Sequence, residues 1–206
     1  MPTPTEQFAA ALKLHAHDFA VELAAEQIAV LQDYFALLLK WNPRLHLVAP
    51  CTPEQFATRH ALEALLLLKH LPLSATLADI GSGAGLPIIP CLIVRDDLRA
   101  GLIEASQKKC VFLEEALRTV QREDRAAVLN CRFETAAAPD AEFVTCRALD
   151  KFEELLPSII NWAPVGATFL FFVGDAVKAR IERKLTNTQV ERVPLSEKRF
   201  LVIARH

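Results

Sequence analysis

The chain has 206 residues, 52% of them hydrophobic and 23% charged, with a formal net charge of −2. That length is enough for one globular domain with a sizeable core and a small appendage. Apolar runs such as 167–173 are less than half the roughly 20 residues of a membrane span, so a transmembrane protein is excluded. The near-neutral charge excludes a protein that coats nucleic acid through its overall field.

The amino end shows no basic region followed by an apolar one, so no secretory leader is expected. Five cysteines (Cys51, Cys91, Cys110, Cys131, Cys146) form no C-x-x-C pair. Neither a disulfide framework nor a zinc site is expected, and a reducing cytoplasm is the natural compartment. The charge is uneven. Residues 176–206 carry eight Lys/Arg against three Asp/Glu, a local +5, whereas residues 1–72 carry five against seven.

The first 72 residues read as helical. Leu23, Ile28, Val30, Leu31, Tyr34, Phe35, Leu38 and Leu39 recur at the spacings of an amphipathic helix. Asn42-Pro43 is expected to end it. A second helix is predicted over about 53–71, with Thr52 as N-cap and Pro53 in the first turn. Pro72 closes it. After Ser74 short apolar runs at 76–80, 100–104, 126–131, 142–147, 167–173 and 200–204 alternate with helical patterns near 86–94, 107–121, 152–162 and 176–185. There is no internal repeat, and the only biased tract is an Ala-rich turn at 136–139. Doubly apolar strands separated by helices predict an α/β fold, a mostly parallel sheet covered on both faces. The expected division is a helical cap over 1–72 and a ligand-binding domain over 73–206.

The chemistry concentrates at Leu77-Ala-Asp-Ile-Gly-Ser-Gly-Ala-Gly-Leu-Pro87. Gly81, Gly83 and Gly85 follow the first strand of the sheet and open a helix, where the chain turns tightly and a ligand can approach its backbone. Ligands of open α/β sheets bind beyond the carboxyl ends of the strands, where this loop lies. A dinucleotide fingerprint wants G-x-G-x-x-G, and the spacing here fails at the third glycine. A phosphate-binding loop needs G-x-x-x-x-G-K-[ST], which is absent. The remaining common user of D-x-G-x-G-x-G is the S-adenosylmethionine-dependent methyltransferase fold. Glu104 lies at the end of the second strand, 23 residues after Gly81, where a carboxylate can accept both hydroxyls of a ribose. Asp79 would hold the loop through backbone N–H groups or face the cofactor's amino group.

With both features in place, the chain resembles the small-subunit (16S) ribosomal RNA methyltransferase G family (RsmG/GidB), from about Tyr34 to Phe200. Tyr34…Leu38…Trp41-Asn42 is similar to its Y-x-x-x-L-x-x-W-N element, and Arg59-His60 to its R-H pair. The stretch Asp79-Ile-Gly-Ser-Gly-Ala-Gly-Leu-Pro-Ile-Ile-Pro90 is close to its D-x-G-[TS]-G-x-G-L-P-G-x-P loop. Glu104…Lys108-Lys109…Phe112-Leu113 follows its acidic residue, basic pair and Phe-Leu. Cys146-Arg147-Ala148 matches S-R-A, and 197–201 its closing E-R-x-L. The chain departs from the pattern at Glu63-Ala64 (commonly Asp-Ser), His46-Leu47-Val48 (Asn-Leu-Thr), Ile88 (Gly) and Val173-Gly174 (Lys-Gly).

The resemblance implies a Rossmann-like class I methyltransferase fold with a seven-stranded sheet, S-adenosyl-L-methionine as cofactor, and methylation of a guanine N7 in small-subunit ribosomal RNA. It places Gly81, Gly83 and Leu86 along the cofactor, Glu104 on the ribose, and Phe133-Glu134 near the adenine. Arg147 faces the methyl-transfer cleft as the candidate catalytic residue, with a structural ion pair as the alternative. N7 carries a lone pair and no proton, so direct in-line attack needs no general base, and positioning and electrostatic preorganisation remain. Amino-group methylation would want a Pro-Pro loop where Cys146-Arg-Ala-Leu stands. Cytosine C5 chemistry would want a nucleophilic thiol, whereas Cys91 falls in a helix as core. Candidate RNA contacts are His60, Lys108, Lys109, Lys198 and Arg199, with Lys178, Arg180, Arg183 and Lys184 of the basic carboxyl end. Two other readings stay open: a relative without turnover, suggested by Val48, Ala64 and Val173, and a nicotinamide-dependent oxidoreductase. No heptad pattern is present, and a monomer is expected.

Overall fold

The computed structural model describes residues 1–137, 140–149, 151–185 and 187–205. The Ala-rich turn therefore lies partly outside the described residues. Thr3 caps the first helix, α1 (Pro4–His15), by accepting from the Glu6 N–H. This helix was legible in the sequence only as part of a generally helical region. Next comes α2 (Ala25–Leu45), whose buried stripe of Ile28, Leu31, Tyr34, Phe35 and Leu38 follows the expected period.

The end of α2 corrects the sequence reading. It runs two residues beyond Pro43, because a proline in the last turn forfeits only one backbone bond. The chain leaves the helix at His46, in the left-handed region with φ 48°, and the His46 N–H returns to the Asn42 carbonyl at 2.9 Å.

The second helical run begins where Thr52 and Pro53 place it, with Thr52 Oγ1 accepting from the Gln55 N–H at 3.1 Å. It is not a uniform helix. A short α3 (Pro53–Phe56) widens into a π-helical turn at Ala57–Leu62, tightens to α4 (Glu63–Leu65), and ends as a 3-10 turn at Leu66–His70. Wide turns of this kind leave backbone carbonyls for other donors and recur at functional sites.

The sheet has seven strands in the order β3-β2-β1-β4-β5-β7-β6. These are β1 (Thr76–Ile80), β2 (Arg99–Ile103), β3 (Ala126–Leu129), β4 (Phe143–Arg147), β5 (Thr168–Gly174), β6 (Gln189–Arg192) and β7 (Arg199–Arg205). The first five pair in parallel, and β7 runs antiparallel to β5 and β6. Six strands stand where the apolar runs predict them. No run marks β6, a short edge strand without a buried residue, where pairing with β7 and not side-chain burial sets the conformation.

Period-two alternation divides the core. Leu170 and Phe172 join one cluster with Leu31, Leu38, Leu92 and Leu113, while Phe169 and Phe171 join the other with Leu156, Ile159 and Ile181. The amino-terminal helices thus share one face of the sheet with α5 (Ile88–Val94) and α6 (Gln107–Thr119), and α7 (Phe152–Trp162) and α8 (Asp175–Lys184) cover the other. Each fully buried Leu or Phe in these layers contributes about 1.5–3 kcal/mol. Tyr34 is wholly buried, and its hydroxyl donates to the Ala84 carbonyl at 2.7 Å. That bond ties the cap to the glycine loop.

Candidate active site

The strand order reverses at β1, which lies between β2 and β4, the position at which open α/β sheets form a ligand crevice. Two clefts open there at the carboxyl ends. One, of about 470 Å³, is lined by Glu104, Phe133, Glu134 and Leu149 among others. The second, of about 300 Å³, is lined by Val48, His60, Ser82, Gly83, Leu86 and Arg147 among others. Gly81, Lys109 and Ala148 line both, so the two are adjoining parts of one site.

The glycine loop is shaped by backbone bonds that side chains would disturb. The N–H groups of Gly81 and Ser82 donate to the Ile103 carbonyl at 2.9 and 3.1 Å. Gly81, Gly83 and Gly85 all have positive φ. At Gly85, φ 78° already disfavours an L side chain, and a Cβ would overlap the Ile89 side chain. The loop therefore needs glycine for both its turn and its packing.

Glu104, at 8% exposure, grips this loop. Its Oε2 accepts the Gly83 N–H at 3.0 Å and its Oε1 the Ser106 N–H at 2.8 Å. Charge-assisted bonds of this kind orient a carboxylate firmly and leave lone pairs toward the larger cleft. Phe133 is buried there, edge-on to Trp162 at 5.8 Å between ring centroids. Glu134 lines the same cleft and pairs with Arg132 at 3.4 Å.

Of the two roles expected of Asp79, bonds to the loop N–H groups are not formed. It is 1% exposed beneath the loop, and its Oδ1 accepts from the Thr145 hydroxyl at 2.7 Å, not from loop N–H groups. Its Oδ2 is buried without a partner among the described residues. Burial pushes its carboxyl up to about 7.

Arg147 ends β4 and enters the smaller cleft. Its Nη2 donates to the Arg59 carbonyl and to His60 Nδ1, both at 2.7 Å, and lies 3.4 Å from Glu63 Oε1. Its Nη1 is buried with no partner among the described residues. Arg147 thus makes an ion pair through one nitrogen, and the other has no partner among the described residues. Burial, then the charges of Arg147, Arg199 and Arg59, hold His60 down to about 3.

The basic candidates separate by position. Lys109 lines both clefts, whereas Lys108 is exposed outside them. Arg199 turns inward to Glu63 and is no open surface cation. Arg180 pairs with Glu153 at 2.7 Å, and Lys178 stands 4.1 Å over the Phe200 ring. Lys184 and Lys198 have no ion pair with a described residue. Cys91 is core, as its helical position implies, with its thiol donating to the Ala64 carbonyl at 3.3 Å. No cluster of three metal-ligating side chains occurs among the described residues.

The sequence marks Glu63 only as a departure from the family's Asp-Ser pair and gives it no role in the site, yet it is 2% exposed between Arg147 and Arg199. The available signal was its spacing of three and four residues from His60 and Arg59, which shares one helical face but is common to any helix.

A glycine loop after β1, a carboxylate after β2 and the antiparallel β7 inserted between β5 and β6 define a Rossmann-like class I methyltransferase. The fold is similar to that of an RNA methyltransferase from Salinibacter ruber in complex with S-adenosyl-L-homocysteine, at a TM-score of 0.56 and 17% identity over 75% of this chain and 92% of that one. The model of the family described as rRNA small subunit methyltransferase G matches residues 27–205, and the chain belongs to that family. It is 41% identical over 132 residues to the ribosomal RNA small subunit methyltransferase G of Xanthomonas axonopodis pv. citri, a match spanning 64% of this chain and 61% of that relative. The namesake from Pelotomaculum thermopropionicum is 29% identical over 211 residues, 94% of this chain and 88% of that relative.

Proposed function

We propose that the protein transfers a methyl group from S-adenosyl-L-methionine to N7 of a guanine in small-subunit (16S) ribosomal RNA. One observation carries the reading. Two adjoining clefts meet at Gly81, one lined by Glu104 and the other by Arg147.

The donor set fits the cofactor. Glu104 would take the ribose hydroxyls, Phe133 and Glu134 would flank the adenine, and Gly81, Gly83 and Leu86 would lie along the chain leading to the sulfur. Asp79 lies beneath the loop, bonded to Thr145. When bound, S-adenosylmethionine supplies an electrophilic methyl group. The Arg147 guanidinium would then lie beside an oxygen entering the smaller cleft, the guanine carbonyl or the cofactor carboxylate. His60 is no base for the reaction, since its Nδ1 already accepts from Arg147, and a lone pair on N7 requires none. Positioning and fixed donors supply the rate enhancement.

RNA would be held by local cations at the site mouth, with Lys109 nearest and Lys108 and Lys198 farther out, despite the overall charge of −2. In this reading residues 1–72 are the cap, residues 73–206 the cofactor domain, and the enzyme works in the cytoplasm as a monomer. No helix of the described residues is long and apolar enough to cross a membrane.

The test is methyl transfer from labelled donor onto isolated small ribosomal subunits, with mass-spectrometric mapping of 7-methylguanine. A single new 7-methylguanine is expected, and its absence from both naked RNA and subunits would sink the assignment.

A further inference from the structure

Glu63 lines neither cleft, yet it is almost fully buried between two guanidinium groups supplied by different strands. Its Oε1 lies 3.4 Å from Arg147 Nη2 at the end of β4, and its Oε2 accepts from Arg199 Nη1 at the start of β7. A carboxylate at such depth persists only when paired. Arg199 is itself anchored, its Nε donating to Ser196 Oγ at 3.1 Å and its Nη1 to the Arg59 carbonyl at 3.3 Å.

Arg147 Nη2 spends its two hydrogens on that same Arg59 carbonyl and on His60 Nδ1. Both guanidinium groups therefore converge on one carbonyl of the π-helical turn, and Glu63 is the charge that separates them. Without it, two like charges would face each other in a low-dielectric pocket, where their repulsion is strong. Arg147, which lines the smaller cleft, would then lose the charge that balances its guanidinium.

We propose that Glu63 is a positioning residue: held by Arg199, it fixes the Arg147 guanidinium at the edge of the smaller cleft, where methyl transfer takes place. This rests on the functional reading above. The two are separated by measuring kcat/KM for methyl transfer in the wild type, Glu63→Gln, Glu63→Asp, Arg147→Ala and the Glu63→Gln/Arg147→Ala double variant.

Glu63→Gln keeps the volume and removes the charge, and is expected to lower kcat/KM about tenfold, with Glu63→Asp recovering most of it. In the Arg147→Ala background the same substitution should change kcat/KM by less than about twofold, because an effect acting through Arg147 is not additive with its loss. Wild-type kcat/KM in Glu63→Gln, or additive losses in the double variant, overturns the proposal. If the wild type itself transfers no methyl group, the functional reading falls. The positioning role is then decided by nuclear magnetic resonance of the Arg147 guanidinium. Separate, slowly exchanging Nη signals that merge in Glu63→Gln support it. Signals already merged in the wild type, or indifferent to the substitution, overturn it.

Discussion

Arg147 donates through Nη2 to Nδ1 of His60 at 2.7 Å, which leaves His60 neutral and its Nε2 carrying the proton. The bond joins the end of β4 to the π-helical turn of the cap, elements 87 residues apart in the chain. A sequence motif thereby becomes one wall of the smaller cleft.

A pH dependence follows from this pair. His60 falls from an ordinary 6.5 to about 3 in the folded protein. Between those values the unfolded chain binds a proton that the folded one does not, so the contribution to stability is complete above about pH 6.5 and is lost as pH falls toward 3. Melting temperatures at about pH 7 and about pH 5 should show the wild type losing more stability than His60→Gln. Equal losses would mean that His60 titrates normally.

Asp79 has the opposite sign. Its carboxyl rises from 3.8 to about 7, so the folded state holds a proton that the unfolded chain has already released. Stability from this group is present below pH 3.8 and is lost as pH rises through about 7. Asp79→Asn should therefore melt progressively higher relative to the wild type as pH is raised across that window. A constant difference would show Asp79 ionised throughout.

Glu104 accepts two backbone N–H bonds that one amide oxygen cannot replace. Glu104→Gln turns an N–H donor toward Gly83 or Ser106 and removes the charge offered to the ribose. Bonds to a charged group are worth about 1.5–3 kcal/mol. Calorimetry should then show S-adenosylmethionine binding weakened about tenfold or more, since about 1.4 kcal/mol is a factor of ten. An unchanged Kd would remove Glu104 from the cofactor site.

Tyr34→Phe deletes the hydroxyl that bonds the Ala84 carbonyl across 50 residues of sequence. It strands a buried acceptor, at about 1–3 kcal/mol. For a domain of this size each kcal/mol shifts the melting temperature by about 2–4 °C. Thermal denaturation should show a drop of at least about 2 °C, and no drop would mean that another donor reaches Ala84.

Local rules account for much of the fold. Apolar runs locate six strands because doubly covered strands need apolar side chains on both faces. The alternating glycines and the carboxylate 23 residues later locate the ligand loop, because both answer to backbone geometry near them. The extension of α2 past Pro43 was not legible because the left-handed exit at His46 competes locally with an earlier stop, and the π-helical turn and β6 were not because each depends on partners distant in sequence. The site divides along the same line. Gly81, Gly83, Leu86, Glu104, Phe133, Glu134, Arg147, His60 and Lys109 all reach the two clefts, while Asp79 sinks beneath them and Arg199 turns inward.

By itself the sequence determined the fold class, the family and the strand ends that carry the site. Only the tertiary structure decided which charges are spent on one another. Glu63, Arg147 and Arg199 come from the cap, β4 and β7, and no local spacing records that packing brings them within bonding distance. In a buried cluster it is that proximity, through desolvation and Coulomb attraction, that commits Arg199 and one nitrogen of Arg147 to structure and leaves Arg147 Nη1 without a partner among the described residues.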